Sequence, residues 1–249
     1  AGKVYWIKVH EIPEASRSSR GSSVKSLIQL SPDEEISTIV TMKDYTDQQY
    51  IFMSTANGTV KKCKTTEFAN AKTRGVIGIK LHDGDHLVSA MLTSGNDDAM
   101  LITRKGQALR VSEESVRPMG RASSGVTGIR LASGDEVAAA ISVEQNKDAL
   151  VITEKGYGKR VGFDEFGKHG RGTGGQKIFG NIEGKGEIIG AIAVSETDEV
   201  ICMSGQGKTL RVSAAMISKQ GRASSGTRII NIDEPDYVVG FDKVANEDE

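Results

Sequence analysis

Four residues after a recurring glycine, this chain places Lys62, Arg110, Arg160 and Arg211. The loops that follow carry a second basic series, Arg17 and Arg20, Lys72 and Arg74, Arg117 and Arg121, Lys168 and Arg171, Lys219 and Arg222. Lys3, Lys8, Lys61, Lys64 and Lys159 belong to the same recurring words. Ammonium and guanidinium groups at repeated positions hold anionic oxygens, phosphate above all, through charge and fork-shaped hydrogen bonds. The neighbouring Gly, Ser, Ala and Thr residues let backbone N–H groups approach the same oxygens. One residue after the strand series stand Cys63, Val111, Val161 and Val212. Strand side chains alternate faces, so the cations are expected on one face and the apolar residues inside.

The formal charge is −1, from 32 basic and 33 acidic residues, and it hides a segregation. The recurring words (1–8, 57–64, 105–112, 155–162, 206–213) and their loops (13–23, 69–76, 117–126, 167–176, 218–227) hold 22 of the Lys and Arg and one acid, Glu14. The other 160 residues carry a net charge of −22. If the repeat brings its basic parts to one edge, the partner is a polyanion long enough to follow a curve. Few aromatics lie among the cations, so a stacking platform for single strands is disfavoured. Duplex DNA gripped by its backbone fits better, with little sequence preference. Bending a 20–30 bp site by 40–90° costs on the order of 1–6 kcal/mol, which distributed phosphate contacts offset.

The elements that must position these cations are legible in the repeat. The glycines Gly2, Gly58, Gly106, Gly156 and Gly207 are separated by 56, 48, 50 and 51 residues. A period near 50 marks a modular β array. In one unit, HLVSAMLT, AMLIT, QALRVS and TGIRL are short β-rich runs cut by Gly, Asn and Asp turns. Four consecutive strands per unit read as one antiparallel blade. The fold class is therefore all-β, a propeller-like pinwheel of five to six blades with the first incomplete, forming one domain over 1–249. KVYWIKV reads as a lone third strand and YVVGFDKV as a lone first strand, and in a closed ring the two ends are expected to complete one blade. Residues 246–249 read as a frayed acidic tail that could compete for the basic edge.

At these residues the chain resembles the C-terminal domain of DNA gyrase A, the DNA-wrapping β-pinwheel of a bacterial type II topoisomerase. The matching words are ANGTVKK from Ala56, KLHDGD from Lys80, SVRPMG from Ser115, GVTGIRL from Gly125, GYGKR from Gly156, IPEASRSSRG from Ile12 and YVVGFDKV from Tyr237. The resemblance spans essentially the whole chain. It implies a six-bladed pinwheel with DNA on its outer edge, an upstream cleavage domain, and a second polypeptide, DNA gyrase B, that hydrolyses ATP. It implies a non-catalytic part of an ATP-dependent enzyme, working in the cytoplasm on the nucleoid. The family's hallmark box, Gln-Arg-Arg-Gly-Gly-Lys-Gly, would precede Ala1. Within this chain GKHGRGTGG from Gly167 is its nearest relative in composition. The topoisomerase IV counterpart, which bends DNA without full wrapping, is the alternative within the family. A propeller-like scaffold docking acidic proteins, and an enzyme with an active site in the central channel, are the alternatives outside it.

Other motifs read as structural. Gly170, Gly172 and Gly175 spell G-x-G-x-x-G, but QKIFGNI follows as a strand where a dinucleotide fingerprint needs a helix. Gly207-Lys208-Thr209 lacks the glycine a P-loop requires, because Cys202 stands in its place. His82 and His86 flank a turn, and the recurrence of Gly-Asp at Gly134-Asp135 favours a hairpin role for Asp83 and Asp85. Cys63 and Cys202 read as buried free thiols of a reducing compartment. No apolar run reaches the ~20 residues that span a bilayer, so no membrane partner is expected. No secretory leader is evident, and no catalytic site, cofactor or metal is expected on this domain.

Overall fold

A computed structural model of the chain describes residues 2–16, 19–32, 34–71 and 73–244. Arg17, Lys72 and the acidic tail lie outside the described residues. The first repeat supplies β1 (Lys3–Val4). The second supplies β2 (Tyr50–Thr55), β3 (Thr59–Lys64) and β4 (Val76–Ile77). The third supplies β5 (Leu87–Thr93), β6 (Asp98–Thr103), β7 (Gln107–Ser112) and β8 (Val126–Thr127). The fourth supplies β9 (Val137–Ser142), β10 (Asp148–Thr153), β11 (Tyr157–Gly162) and β12 (Gln176–Lys177). The last supplies β13 (Ile188–Val194), β14 (Glu199–Ser204), β15 (Thr209–Ser213), β16 (Thr227–Arg228) and β17 (Val238–Lys243). A short α-helix, α1 (Ile182–Lys185), lies between β12 and β13.

Each recurring word is the second half of a hairpin. In β2–β3 the turn passes through Gly58 at φ +81, and the Thr55 hydroxyl accepts the Thr59 N–H at 3.3 Å. Thr103, Thr153 and Ser204 accept the equivalent N–H groups of Gln107, Tyr157 and Lys208. The Gly58 carbonyl then receives the N–H groups of Gly128 and Ile129 from the next repeat. Gly2, Gly106 and Gly156 do the same for Gly78 and Ile79, Ile178 and Phe179, Ile229 and Ile230. The repeated glycine is therefore the joint between successive units.

That joint changes the expected blade. Four consecutive strands do not form one sheet; the orders are β5-β2-β3-β8, β9-β6-β7-β12 and β13-β10-β11-β16. Each hairpin takes its two flanking strands from the following repeat. The reason is geometric: the hairpin's second strand is short of one neighbour, and the strand beyond the next loop arrives antiparallel beside it. The end strands follow the same rule. β1 pairs with β4, and β17 closes β14 in the order β15-β14-β17. So β17 completes the last sheet, and the expectation that it joins the opening strand in one blade is corrected.

The core lies between sheets. Along β6, Ala99 and Leu101 pack toward the β2–β3 sheet while Met100 and Ile102 pack toward the β10–β11 sheet. Along β10, Ala149 and Val151 face one neighbour, Leu150 and Ile152 the other. A strand covered on both faces needs an unbroken apolar run, which AMLI and ALVI supply. The strands β5, β9, β13 and β17 pack successively on one another. Ala139, Ala140, Gly190, Ala191 and Ala193 allow that close approach. They form the inner edge, and β4, β8, β12 and β16 lie at the opposite, outer edge.

Candidate nucleic-acid interface

Stacking decides where the strand cations point. Position four after the turn glycine faces the next blade, so it is covered wherever a next blade exists. Lys62 and Arg160 are 3% and 4% exposed. The Arg160 guanidinium donates to the Ile217 carbonyl at 2.9 Å, to Asp148 at 3.2 Å and to Glu196 at 3.3 Å. Lys62 donates to the Glu113 carbonyl at 3.0 Å, lies 3.6 Å from the Glu113 carboxylate, and sits over the Tyr50 ring. Arg110 is half-buried and binds Asp98 at 2.9 Å and the Phe163 carbonyl at 3.2 Å. Arg211, with no described blade beyond it, keeps an exposed side chain and pairs with Glu199. The expected outward-facing strand track is thus corrected: Lys62 and Arg160 are interblade struts. Strand alternation gives a solvent face only when one side of the sheet is open, and here neighbouring blades cover both.

The acids these cations meet open the first strand of each hairpin: Asp98, Asp148 and Glu199, with Tyr50 taking the place in the first full blade. Two of them serve a second cation. Lys168 binds Asp98 at 2.8 Å and Lys219 binds Asp148 at 2.9 Å, both ammonium groups remaining about half exposed. Hydrogen bonding to Asp148 raises the Lys219 pKa. An open cleft of about 980 Å³ runs past these pairs between neighbouring blades.

Position three faces the preceding blade. Lys61 and Lys159 stand there, both fully buried. Lys159 Nζ donates to the carbonyls of Gly221 (2.7 Å), Arg222 (2.9 Å) and Ser224 (3.0 Å) and to the Ser224 hydroxyl (2.9 Å). Lys61 Nζ donates to the carbonyls of Gly78, Arg121 and Ser123. Burial pushes the pKa of the Lys61 ammonium down and that of Lys159 down to about 8. Neither reaches a surface ligand, which corrects their placement among outward cations.

The remaining candidates lie in the loops and at the outer edge. Arg20, Arg74, Arg117, Arg171, Lys168 and Lys219 are exposed, while Arg121 and Arg222 are half-buried. Arg171 donates to the carbonyls of Ser115 (3.1 Å) and Thr127 (3.3 Å). Arg121 makes one bond, to the Ile77 carbonyl at 3.4 Å. Among the described residues, the side chains of Arg74, Arg117 and Arg222 meet no carboxylate. Each loop reaches the outer strand through a left-handed glycine, Gly75, Gly125, Gly175 or Gly226. A Cβ at Gly125 would stand 2.6 Å from the Val60 carbonyl, so the loop lies directly on the preceding blade. In the opening segment Lys3 is committed to Glu34 at 2.9 Å, Lys64 to Asp47 at 3.3 Å, and exposed Lys8 sits 5.9 Å from the Trp6 ring centroid.

Lys80, Arg130, Lys177 and Arg228 are exposed at or just beyond the outer strands and were outside the sequence-derived set. Their signal was available: Lys177 and Arg228 stand two residues, and Lys80 and Arg130 five residues, after the loop glycine. Arg228 lies over the Tyr157 ring and donates to its hydroxyl. The Gly-Asp turns are structural, since Asp85, Asp135 and Asp236 each accept the N–H of the residue preceding the repeat glycine at 3.0 Å. Gly170–Gly175 is a loop leading into β12. Cys63 and Cys202 are buried free thiols, and burial pushes Cys202 up to about 11.

Antiparallel sheets stacked face to face, with cationic loops along one edge, define a β-propeller-type domain. Residues 1–41, 49–94, 97–144, 147–195 and 198–245 match the family described as DNA gyrase C-terminal domain, beta-propeller, one segment for each repeat. The A chain of DNA gyrase from Treponema pallidum is 62% identical over 240 residues, covering 96% of this chain and 30% of the relative. That of Mycolicibacterium smegmatis is 37% identical, covering 100% and 30%. A solved DNA gyrase A C-terminal domain aligns with a TM-score of 0.87 at 33% identity, covering 98% of this chain and 80% of that one. The C-terminal domain of DNA topoisomerase IV aligns with a TM-score of 0.88 at 25% identity, covering 98% and 76%. The chain belongs to the DNA gyrase C-terminal domain family, and it spans about a third of the length of the curated relatives it matches. Among the described residues no helix is long and apolar enough to cross a membrane.

Proposed function

We propose that this domain binds duplex DNA along its outer edge, bends or wraps it without reading sequence, and serves as the non-catalytic accessory part of DNA gyrase A. The observation that carries this reading is the set of loop cations, Arg20, Arg74, Arg117, Arg121, Arg171 and Arg222, repeated along one edge and unpaired with carboxylates among the described residues. Lys168 and Lys219 join them as half-exposed ammonium groups. Phosphates neutralised along such an edge release counterions, and the gain offsets DNA bending. Identity of 62% to a DNA gyrase A favours this over the topoisomerase IV counterpart. Cleavage then belongs to the upstream domain and ATP hydrolysis to DNA gyrase B, and the DNA partner puts the protein on the nucleoid.

The test is a gel-shift titration of this chain against duplexes of increasing length at several salt concentrations. Affinity should grow with length up to one circuit of the edge and fall with salt. A companion topology assay should show DNA writhe changing when the domain is added. Binding that ignores duplex length and salt would overturn the reading and favour a protein-docking scaffold.

A further inference from the structure

Two of the loops share the sequence GRASSG, at 120–125 and 221–226. They lie over the two blades whose third strand carries a buried lysine, Lys61 and Lys159. The intervening blade has Leu109 at that position, and the loop over it reads GRGTGG, 170–175. This difference inside one molecule is a natural control. Over a lysine, the loop backbone is held from beneath by carbonyl bonds to one ammonium. Over Leu109 no buried lysine exists, and the loop is held instead by two arginine side chains: Arg171 reaches back to Ser115 and Thr127, and Arg130 donates to the Gly172 carbonyl at 3.1 Å. All three loops share a backbone anchor, an N–H from Lys80, Arg130 or Gly180 to the carbonyl of Ser123, Thr173 or Ser224.

We propose that Lys61 and Lys159 are positioning residues for DNA binding: each braces from inside the loop that the following repeat lays over its own blade, leaving the guanidinium of Arg121 or Arg222 for phosphate. The proposal rests on the DNA-binding reading above. An arginine that must hold its own loop spends donors on protein carbonyls, as Arg171 does. Arg222 is half-buried yet its side chain has no acceptor among the described residues, and Arg121 has one long bond. A half-buried guanidinium without a protein acceptor is hydrated in the free domain and keeps its donors available to a phosphate. The lysines are suited to the bracing because three carbonyl oxygens converge where only a cation with several donors satisfies them.

The test compares Lys159→Met, Arg222→Ala and the double variant of this chain in DNA titrations at several salt concentrations. Each single variant should lower affinity and flatten the slope of log affinity against log salt by about 0.9, one phosphate contact. The double variant should match Arg222→Ala alone. Lys61→Met with Arg121→Ala repeats the cycle in another blade should Lys159→Met fail to fold. The unaltered chain gives an independent readout. The Nε–H of Arg171 should exchange slowly with solvent in the free domain. Those of Arg121 and Arg222 should exchange fast and slow down on adding duplex. If Arg222→Ala weakens binding while folded Lys159→Met keeps the original affinity and slope, the positioning role falls and the DNA reading stands. Multiplying losses in the double variant have the same consequence. If the unaltered chain binds no duplex, both fall.

Discussion

At the scale of single residues, charge alone says little about role, and burial separates two kinds of cation. Arg160 is locked between Asp148, Glu196 and the Ile217 carbonyl. Its removal leaves the buried Ile217 carbonyl without its donor while Asp148 keeps Lys219, so Arg160→Met should lower unfolding free energy by about 1–3 kcal/mol in urea titrations. Arg211→Met, at the exposed equivalent position, should cost less than about 1 kcal/mol. Glu34 supplies a pH dependence. The Tyr5 hydroxyl at 2.6 Å, then the Ser31 N–H and Lys3, hold its carboxyl down to about 2 from an ordinary 4.5. A carboxyl depressed in the folded state contributes stability that is complete above 4.5 and is lost as pH falls through about 2. Melting temperature against pH across that window should show this loss, and Glu34→Gln should remove it.

At the scale of elements, the repeat glycine is the joint that passes strands from one blade to the next. Gly156 has φ +79, and a Cβ there would stand 2.3 Å from the Ile230 carbonyl, whose N–H it must also receive. Gly207 has φ +86 with nothing within 4 Å. Gly156→Ala should therefore cost about 3 kcal/mol, from left-handed strain plus displaced hydrogen bonds, against about 1 kcal/mol for Gly207→Ala. Chemical denaturation of the two variants side by side checks the difference. The glycine spacing and the β-rich runs were legible because turn chemistry and strand propensity are local. The exchange of strands between repeats was not, because sequential and swapped pairings use the same strands and bury the same residues.

At the scale of the whole molecule, segregated charge makes a prediction that no single residue does. Engagement of the six loop arginines alone should give a salt slope of about −5, and Lys168 and Lys219 add to it only insofar as Asp98 and Asp148 release them. Asp148→Asn should thus weaken the fold through Arg160. It should also leave Lys219 unpaired and steepen the salt dependence of DNA affinity in whatever folded protein remains. A slope indistinguishable from zero in the unaltered chain would remove the basis for an electrostatic edge.

The amino-acid sequence by itself determined the modules, their all-β character, and which segments carry positive charge, because periodicity, turn residues and composition are properties of the chain taken locally. Only the tertiary structure decided which of those charges remain available. Lys62 and Arg74 look alike in the sequence, yet one is sealed between blades and the other lies in solvent. The physical reason is that a charge's role depends on what lies opposite it, and in stacked sheets the opposite surface comes from another repeat.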